Sequence, residues 1–157
     1  MQQYESWSSE RAIAVIRQHA NRPGATLPVL QALQETFGHV PEEAVPLVAH
    51  ALNLSRAEVH GVVTFYHDFR RDPPGRHVLK LCRAEACQAM GSDDLAARAE
   101  QRLGVTLGET TLDGRVTLEA VCCLGLCACA PSAMLNGEVF GRLDATRLDA
   151  LLSETQQ

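Results

Sequence analysis

All six cysteines lie in the second half of the chain, none before Cys82, and this asymmetry constrains what the sequence can fold into more than any other feature. It divides 157 residues into a part equipped for thiol chemistry and a part that is not. Such a length allows one compact core or two small ones, not a large multidomain enzyme. The segment Met1 to Ser9 has no basic stretch followed by an apolar run, so no secretory signal is expected and a cytoplasmic location is. In a reducing compartment six thiols point to metal binding or redox chemistry rather than to a disulfide framework.

Composition removes several other classes. The 14 basic residues against 19 acidic ones leave a net charge of −5, contrary to what phosphate neutralisation requires, and aromatics at 4% are too few for base stacking, so no nucleic acid is expected as a partner. Ala120 to Gly137 runs 18 residues without a charge, close to the roughly 20 of a membrane helix. It holds Gly125, Pro131, Asn136 and four cysteines, which break a lipid-facing helix. The segment reads as a buried loop and strand around a site, with no direct membrane insertion.

The cysteine-free half reads as helical. Ser9 is a candidate N-cap before Ile13, Ile16 and Ala20, and a second helix is expected after Pro28 with Leu30, Leu33 and Phe37 on its apolar face, ended by Gly38. Pro41 suits the first position of a third helix carrying Val45, Val48 and Leu52, and Ser55 with Glu58 forms a capping box opening a fourth. Arg70 to Gly75, with Pro73 and Pro74 inside it, is the best boundary in the chain. It gives a helical bundle over 1–72 and a second domain over 73–157. There Val78 to Leu81 form a strand running into Cys82, Asp93 or Asp94 can cap a helix through Leu95 and Ala99, and Val116, Leu118 and Ala120 alternate as a second strand. Asn136-Gly137 is a hairpin signal, and Thr146 can cap a last helix. The fold class expected is α+β, with a sheet of the kind thioredoxin-like domains use.

Cys82 and Cys87 are separated by four residues, Cys123 and Cys127 by three, and the two pairs by 35. Two close pairs far apart in sequence are how a fold presents four thiolates to one centre from two loops at strand ends. Spacing alone leaves a [2Fe-2S] centre, structural zinc, or a dithiol or buried cysteines. The first is favoured because it needs only thiolates and because the surroundings of the second pair are apolar. Cys122 repeats the gap of the first pair with Cys127, so spacing does not exclude it. Strand alternation would put it and Cys123 on opposite faces, and the spare thiols Cys122 and Cys129 read as small buried apolar residues. All six histidines precede the first cysteine, which disfavours mixed ligation; His60 and His67 fit one helix face in a surface role. No dinucleotide, phosphate-loop or nucleophile-elbow motif is present, and a chain with one redox centre and no substrate site of its own is an electron carrier.

Several stretches then carry a resemblance. Leu27 to Leu33 with Phe37-Gly38-His39-Val40-Pro41, the run Val59-His60-Gly61-Val62-Val63-Thr64-Phe65-Tyr66, Cys82 with Cys87, and Cys123-Leu124-Gly125-Leu126-Cys127 followed by Ala130-Pro131 resemble the 24 kDa-type [2Fe-2S] subunit of respiratory complex I and its relatives. Within that family, Cys82-Arg83-Ala84-Glu85-Ala86-Cys87-Gln88 and Cys129 are most similar to the gamma subunit of soluble, molybdenum-containing, NAD-dependent formate dehydrogenases; hydrogenase diaphorase subunits share the plan. The resemblance implies a helical N-terminal part, a thioredoxin-like [2Fe-2S] ferredoxin domain, and one [2Fe-2S] cluster held by Cys82 and Cys87 on one iron and Cys123 and Cys127 on the other. It also implies a flavin (FMN)- and NAD-binding beta subunit and a molybdenum and iron–sulfur alpha subunit as partners, with single electrons exchanged with the flavin.

Overall fold

The computed structural model describes residues 4–156. The chain forms two compact units, one ending at Pro73 and the other running from Pro74 onward.

The first unit is helical: α1 (Ser9–His19), α2 (Thr26–Phe37), α3 (Ala44–Leu52) and α4 (Arg56–Phe65). Ser8, not Ser9, caps α1: its backbone is extended and its hydroxyl accepts from the Arg11 N–H at 3.4 Å. Helix α2 begins two residues before Pro28, because a proline in the first turn removes an N–H that has no intrahelical acceptor anyway. Pro41 falls outside α3, its carbonyl accepting the Ala44 N–H at 3.0 Å. The capping box at Ser55 and Glu58 forms in full. Tyr66 turns extended after α4, so His67 does not share a helix face with His60, and both are exposed. Ile16, Leu30, Leu33, Phe37, Val48 and Val59 bury the facing stripes of the four helices, with the Trp7 ring edge-on to Phe37 at 4.9 Å.

The second unit runs β1 (His77–Cys82), α5 (Glu85–Ala89), α6 (Ser92–Leu103), β2 (Val116–Val121), a single 3₁₀ turn (Cys127–Cys129), β3 (Ala133–Leu135), β4 (Glu138–Phe140) and α7 (Ala145–Glu154). The sheet order is β2-β1-β3-β4, with β1 parallel to β2 and the other pairings antiparallel. A parallel pair needs a long crossover, which α5 and α6 supply. The cap of α6 is Gly91, at φ 89°, and Asp93 and Asp94 lie in the first turn, where their charges suit the helix dipole. Asp144 rather than Thr146 caps α7, accepting from the Arg147 N–H at 2.8 Å.

Leu79 and Leu81 point to one face of the sheet, where with Leu118 they bury against Leu95 and Ala99 of α6 and Leu148 and Leu151 of α7. By alternation Val78, Lys80 and Cys82 share the other face, on which Lys80 pairs with Glu119 at 3.4 Å. Asn136 and Gly137 make the expected two-residue hairpin, both with positive φ (53° and 91°). Asn136 also ties the hairpin to β1: its Oδ1 accepts the Val78 N–H at 3.0 Å, its own N–H reaches the Val78 carbonyl at 3.0 Å, and its Nδ2 donates to His77 Nδ1 at 2.9 Å. Among the described residues no helix is long and apolar enough to cross a membrane.

Asn136 and its partner His77 each lead to a measurable outcome. Asn136→Ala orphans the Val78 N–H and should cost about 2 kcal/mol of stability in urea unfolding. Burial, with the Arg76 and Arg115 guanidiniums nearby, lowers the pKa of His77 below its ordinary 6.5. The unfolded chain therefore takes up this proton first as pH falls, so stability is full above about 6.5, is lost as pH drops through that value, and levels off below the folded pKa. His77→Gln, which keeps an acceptor for Asn136, should flatten that part of the urea-midpoint profile against pH.

Candidate metal centre

The candidate centre lies at the ends of β1 and β2. Cys82 is in register with Val121, and the Arg83 N–H extends the pairing to the Val121 carbonyl at 2.9 Å, so the segments that follow both strands leave the same sheet edge together. After β1, Ala84 is extended and the short helix α5 turns Cys87 inward. Cys82 and Cys87 are each 1% exposed. After β2, Gly125 adopts φ 77°, a left-handed turn open to glycine, and the 3₁₀ turn brings Cys127 back so that its Sγ lies 3.8 Å from Cys123 Sγ. Two thiolates on one tetrahedral metal, with bonds of about 2.3 Å, are also about 3.8 Å apart.

Backbone groups and one hydroxyl complete the surroundings. The Gly125 N–H donates to Cys123 Sγ at 3.3 Å. Burial works against ionising Cys82, but the Ala84 N–H, the Cys87 thiol, the Leu124 N–H and the Ser132 hydroxyl outweigh it and lower its pKa below the ordinary thiol value. Ser132 Oγ also lies 3.6 Å from Cys87 Sγ. The pKa of Cys127 is raised, first by the hydrogen bond and negative charge of Cys123, then by burial and by the charges of Cys87 and Cys82. Cys127 therefore senses the other three thiols, and its ionisation is opposed by them. The donor set fits a cationic centre: thiol sulfurs, N–H donors aimed at two of them, and, among the described residues, no carboxylate or imidazole brought in. Among the described residues no three His, Cys, Asp or Glu side chains gather for a single metal ion, whereas a binuclear centre asks each metal to take two thiolates.

The structure changes three expectations about this loop. Strand β2 stops at Val121, so Cys122 and Cys123 lie beyond it and strand alternation does not apply to them. Cys122 is exposed, and its carbonyl, not its thiol, lies near the centre, 3.9 Å from Cys82 Sγ. Cys129 is half-buried against Gly141, where a Cβ would come within 2.8 Å of the Cys129 Cβ, so neither spare thiol is a buried core residue. Cys123 and Cys127 are exposed as well, so the second loop is not the enclosed apolar shell that its composition suggests. Sequence reasoning missed α5, too short to show a period, and Ser132, whose only signal is its place after Pro131 at the start of a strand that pairs with β1.

The thioredoxin-like [2Fe-2S] ferredoxin family matches residues 12–156. The chain is 40% identical over 143 residues to an NADH-quinone oxidoreductase subunit of Rhizobium meliloti (strain 1021), covering 91% of this chain and 85% of that protein. It is 32% identical over 133 residues to the HndA subunit of the NADP-reducing hydrogenase of Solidesulfovibrio fructosivorans, covering 85% and 78%. Among solved structures, the NAD+-reducing [NiFe]-hydrogenase in its H2-reduced state superimposes with a TM-score of 0.70 at 29% identity, over 81% of this chain. The match spans only 22% of that hydrogenase chain. The expected thioredoxin-like architecture is the one found, and this chain belongs to the thioredoxin-like [2Fe-2S] ferredoxin family, of which a [2Fe-2S] cluster is the characteristic cofactor.

Proposed function

We propose that this chain is the electron-transfer subunit of a cytoplasmic NAD-dependent formate dehydrogenase, with Cys82 and Cys87 holding one iron of a [2Fe-2S] cluster and Cys123 and Cys127 the other. The observation that supports the reading is that the two cysteine pairs follow adjacent parallel strands at one sheet edge, with the Cys122 carbonyl 3.9 Å from Cys82 Sγ. When bound, such a cluster supplies a one-electron couple. The chain's own residues anchor it, shield the Cys82 and Cys87 side from water, and leave Cys123 and Cys127 at the surface. The partner is a flavin- and NAD-binding subunit; the similar proteins named above are all parts of enzymes that use pyridine nucleotides, which supports that choice. Formate as donor, with a molybdenum and iron–sulfur subunit as second partner, is supported by the run Cys82 to Gln88 and by Cys129. The alternative is the equivalent subunit of complex I or of an NAD-linked hydrogenase, which the named relatives support equally.

The purified protein should be reddish brown, contain roughly two irons and two sulfides per chain, and give an EPR signal on reduction. A colourless, zinc-loaded protein free of sulfide would reject the electron-transfer reading. Cys123→Ser should abolish the native cluster, while Cys122→Ser and Cys129→Ser leave its spectrum in place; the reverse pattern would reject the ligand set. A tag on this chain in its native host should capture a flavoprotein complex that reduces NAD with formate. Capture of a complex driven by hydrogen, or of an NADH–quinone reductase, would move the assignment to those relatives and leave the cluster reading standing.

A further inference from the structure

Ser132 is 2% exposed and sits directly opposite Cys82, whose N–H donates to the Ser132 carbonyl at 3.0 Å. This placement follows from the antiparallel register that pairs Leu81 with Ala133 one step away. The Ser132 Oγ lies 3.6 Å from Cys87 Sγ. Its side-chain partner is thus a sulfur of the buried pair.

Between a free thiol and a hydroxyl either can donate. A thiolate can only accept, so once the pair is ligated the Ser132 hydroxyl must be the donor. Reduction adds one negative charge that the ligand sulfurs share, and a hydrogen bond to sulfur grows stronger as that charge grows. The hydroxyl keeps its proton in both oxidation states, so the electron is the only charge that moves. The exposed pair has no comparable side-chain donor among the described residues; Cys123 receives the Gly125 N–H at 3.3 Å.

We propose that Ser132 is a positioning and potential-setting residue: its hydroxyl donates to the Cys87 thiolate and raises the reduction potential of the centre that the buried pair helps to hold. The inference rests on the cluster reading above, and the test separates the two.

The experiment is an EPR-monitored redox titration of the full cluster-loaded chain, comparing wild type with Ser132→Ala and Ser132→Thr. Ser132→Ala should hold its cluster with a more negative midpoint, lowering the reduced-to-oxidised ratio at fixed potential roughly three- to tenfold, a tenfold change being about 59 mV for one electron. Its Fe–S(Cys) stretching bands in resonance Raman should rise in frequency as the hydrogen bond is lost. Ser132→Thr, which keeps the hydroxyl, should keep both the wild-type midpoint and the bands. An unchanged or more positive midpoint in a cluster-loaded Ser132→Ala overturns the proposal. Should the alanine variant assemble no cluster, the threonine variant decides: a wild-type midpoint supports the role, and a shifted midpoint or a lost cluster overturns it. A wild-type chain that binds no iron or sulfide fails the cluster reading instead.

Discussion

The parallel pairing of β1 with β2 is the interaction on which the centre depends. Two strands that run the same way end at the same sheet edge, and the register of Cys82 with Val121 puts the loops that follow them side by side. Antiparallel pairing would have set those loops a strand length apart, about 20 Å for six residues at 3.3 Å each. The crossover that parallel strands require is used throughout. Its first helix delivers Cys87, and its second covers the Leu79 and Leu81 face of the sheet. One topological feature therefore builds both the core of this unit and half of its thiol set.

Backbone geometry does most of the local work at the centre. The Ala84, Leu124 and Gly125 N–H groups point at sulfur because each loop turns tightly just after its strand. Such donors favour the ionised form of Cys82. The cost appears at Cys127, whose ionisation is opposed by the negative charges of the other three sulfurs. Thiolates brought close repel one another, and a cation between them relieves that repulsion. The geometry of the loops and the charge requirement of a thiolate-ligated centre are two sides of the same arrangement.

What is legible in the sequence depends on the range of the interaction that decides it. The Ser55 and Glu58 capping box and the Asn136-Gly137 hairpin are settled within four residues, and both form where the sequence puts them. Helix starts differ from the expected residues by one to three positions, at Ser8, Thr26, Ala44 and Asp144, because neighbouring polar residues compete for the cap and a first-turn proline costs the helix nothing. The two cysteine pairs are visible as spacing, and the pairing of β1 with β2 puts the loops that carry them at one sheet edge. What spacing does not carry is exposure. A segment without charges from Ala120 to Gly137 reads as buried, yet Cys122, Cys123 and Cys127 lie at the surface because the chain there turns at the sheet edge instead of continuing β2. Ser132 is illegible for a different reason: its meaning comes from register with Cys82, a pairing 50 residues away in sequence.

The two thiol pairs differ in solvation, and the difference bears on how such a centre takes up charge. Burial of Cys82 and Cys87 penalises any added negative charge on their side, whereas water is available to the exposed Cys123 and Cys127. Left uncompensated, burial alone would make the inner pair the harder place to put charge. The hydrogen bonds of Ala84, Leu124 and Ser132 oppose that penalty, and for Cys82 they prevail, since its pKa falls despite burial. The inner side is therefore dry but polar, and the outer side wet with few fixed donors. A site built this way keeps its geometry with little reorganisation on the inner side, because the donors there are already in place, while the outer side presents its sulfurs at the surface where contact with a partner is physically available.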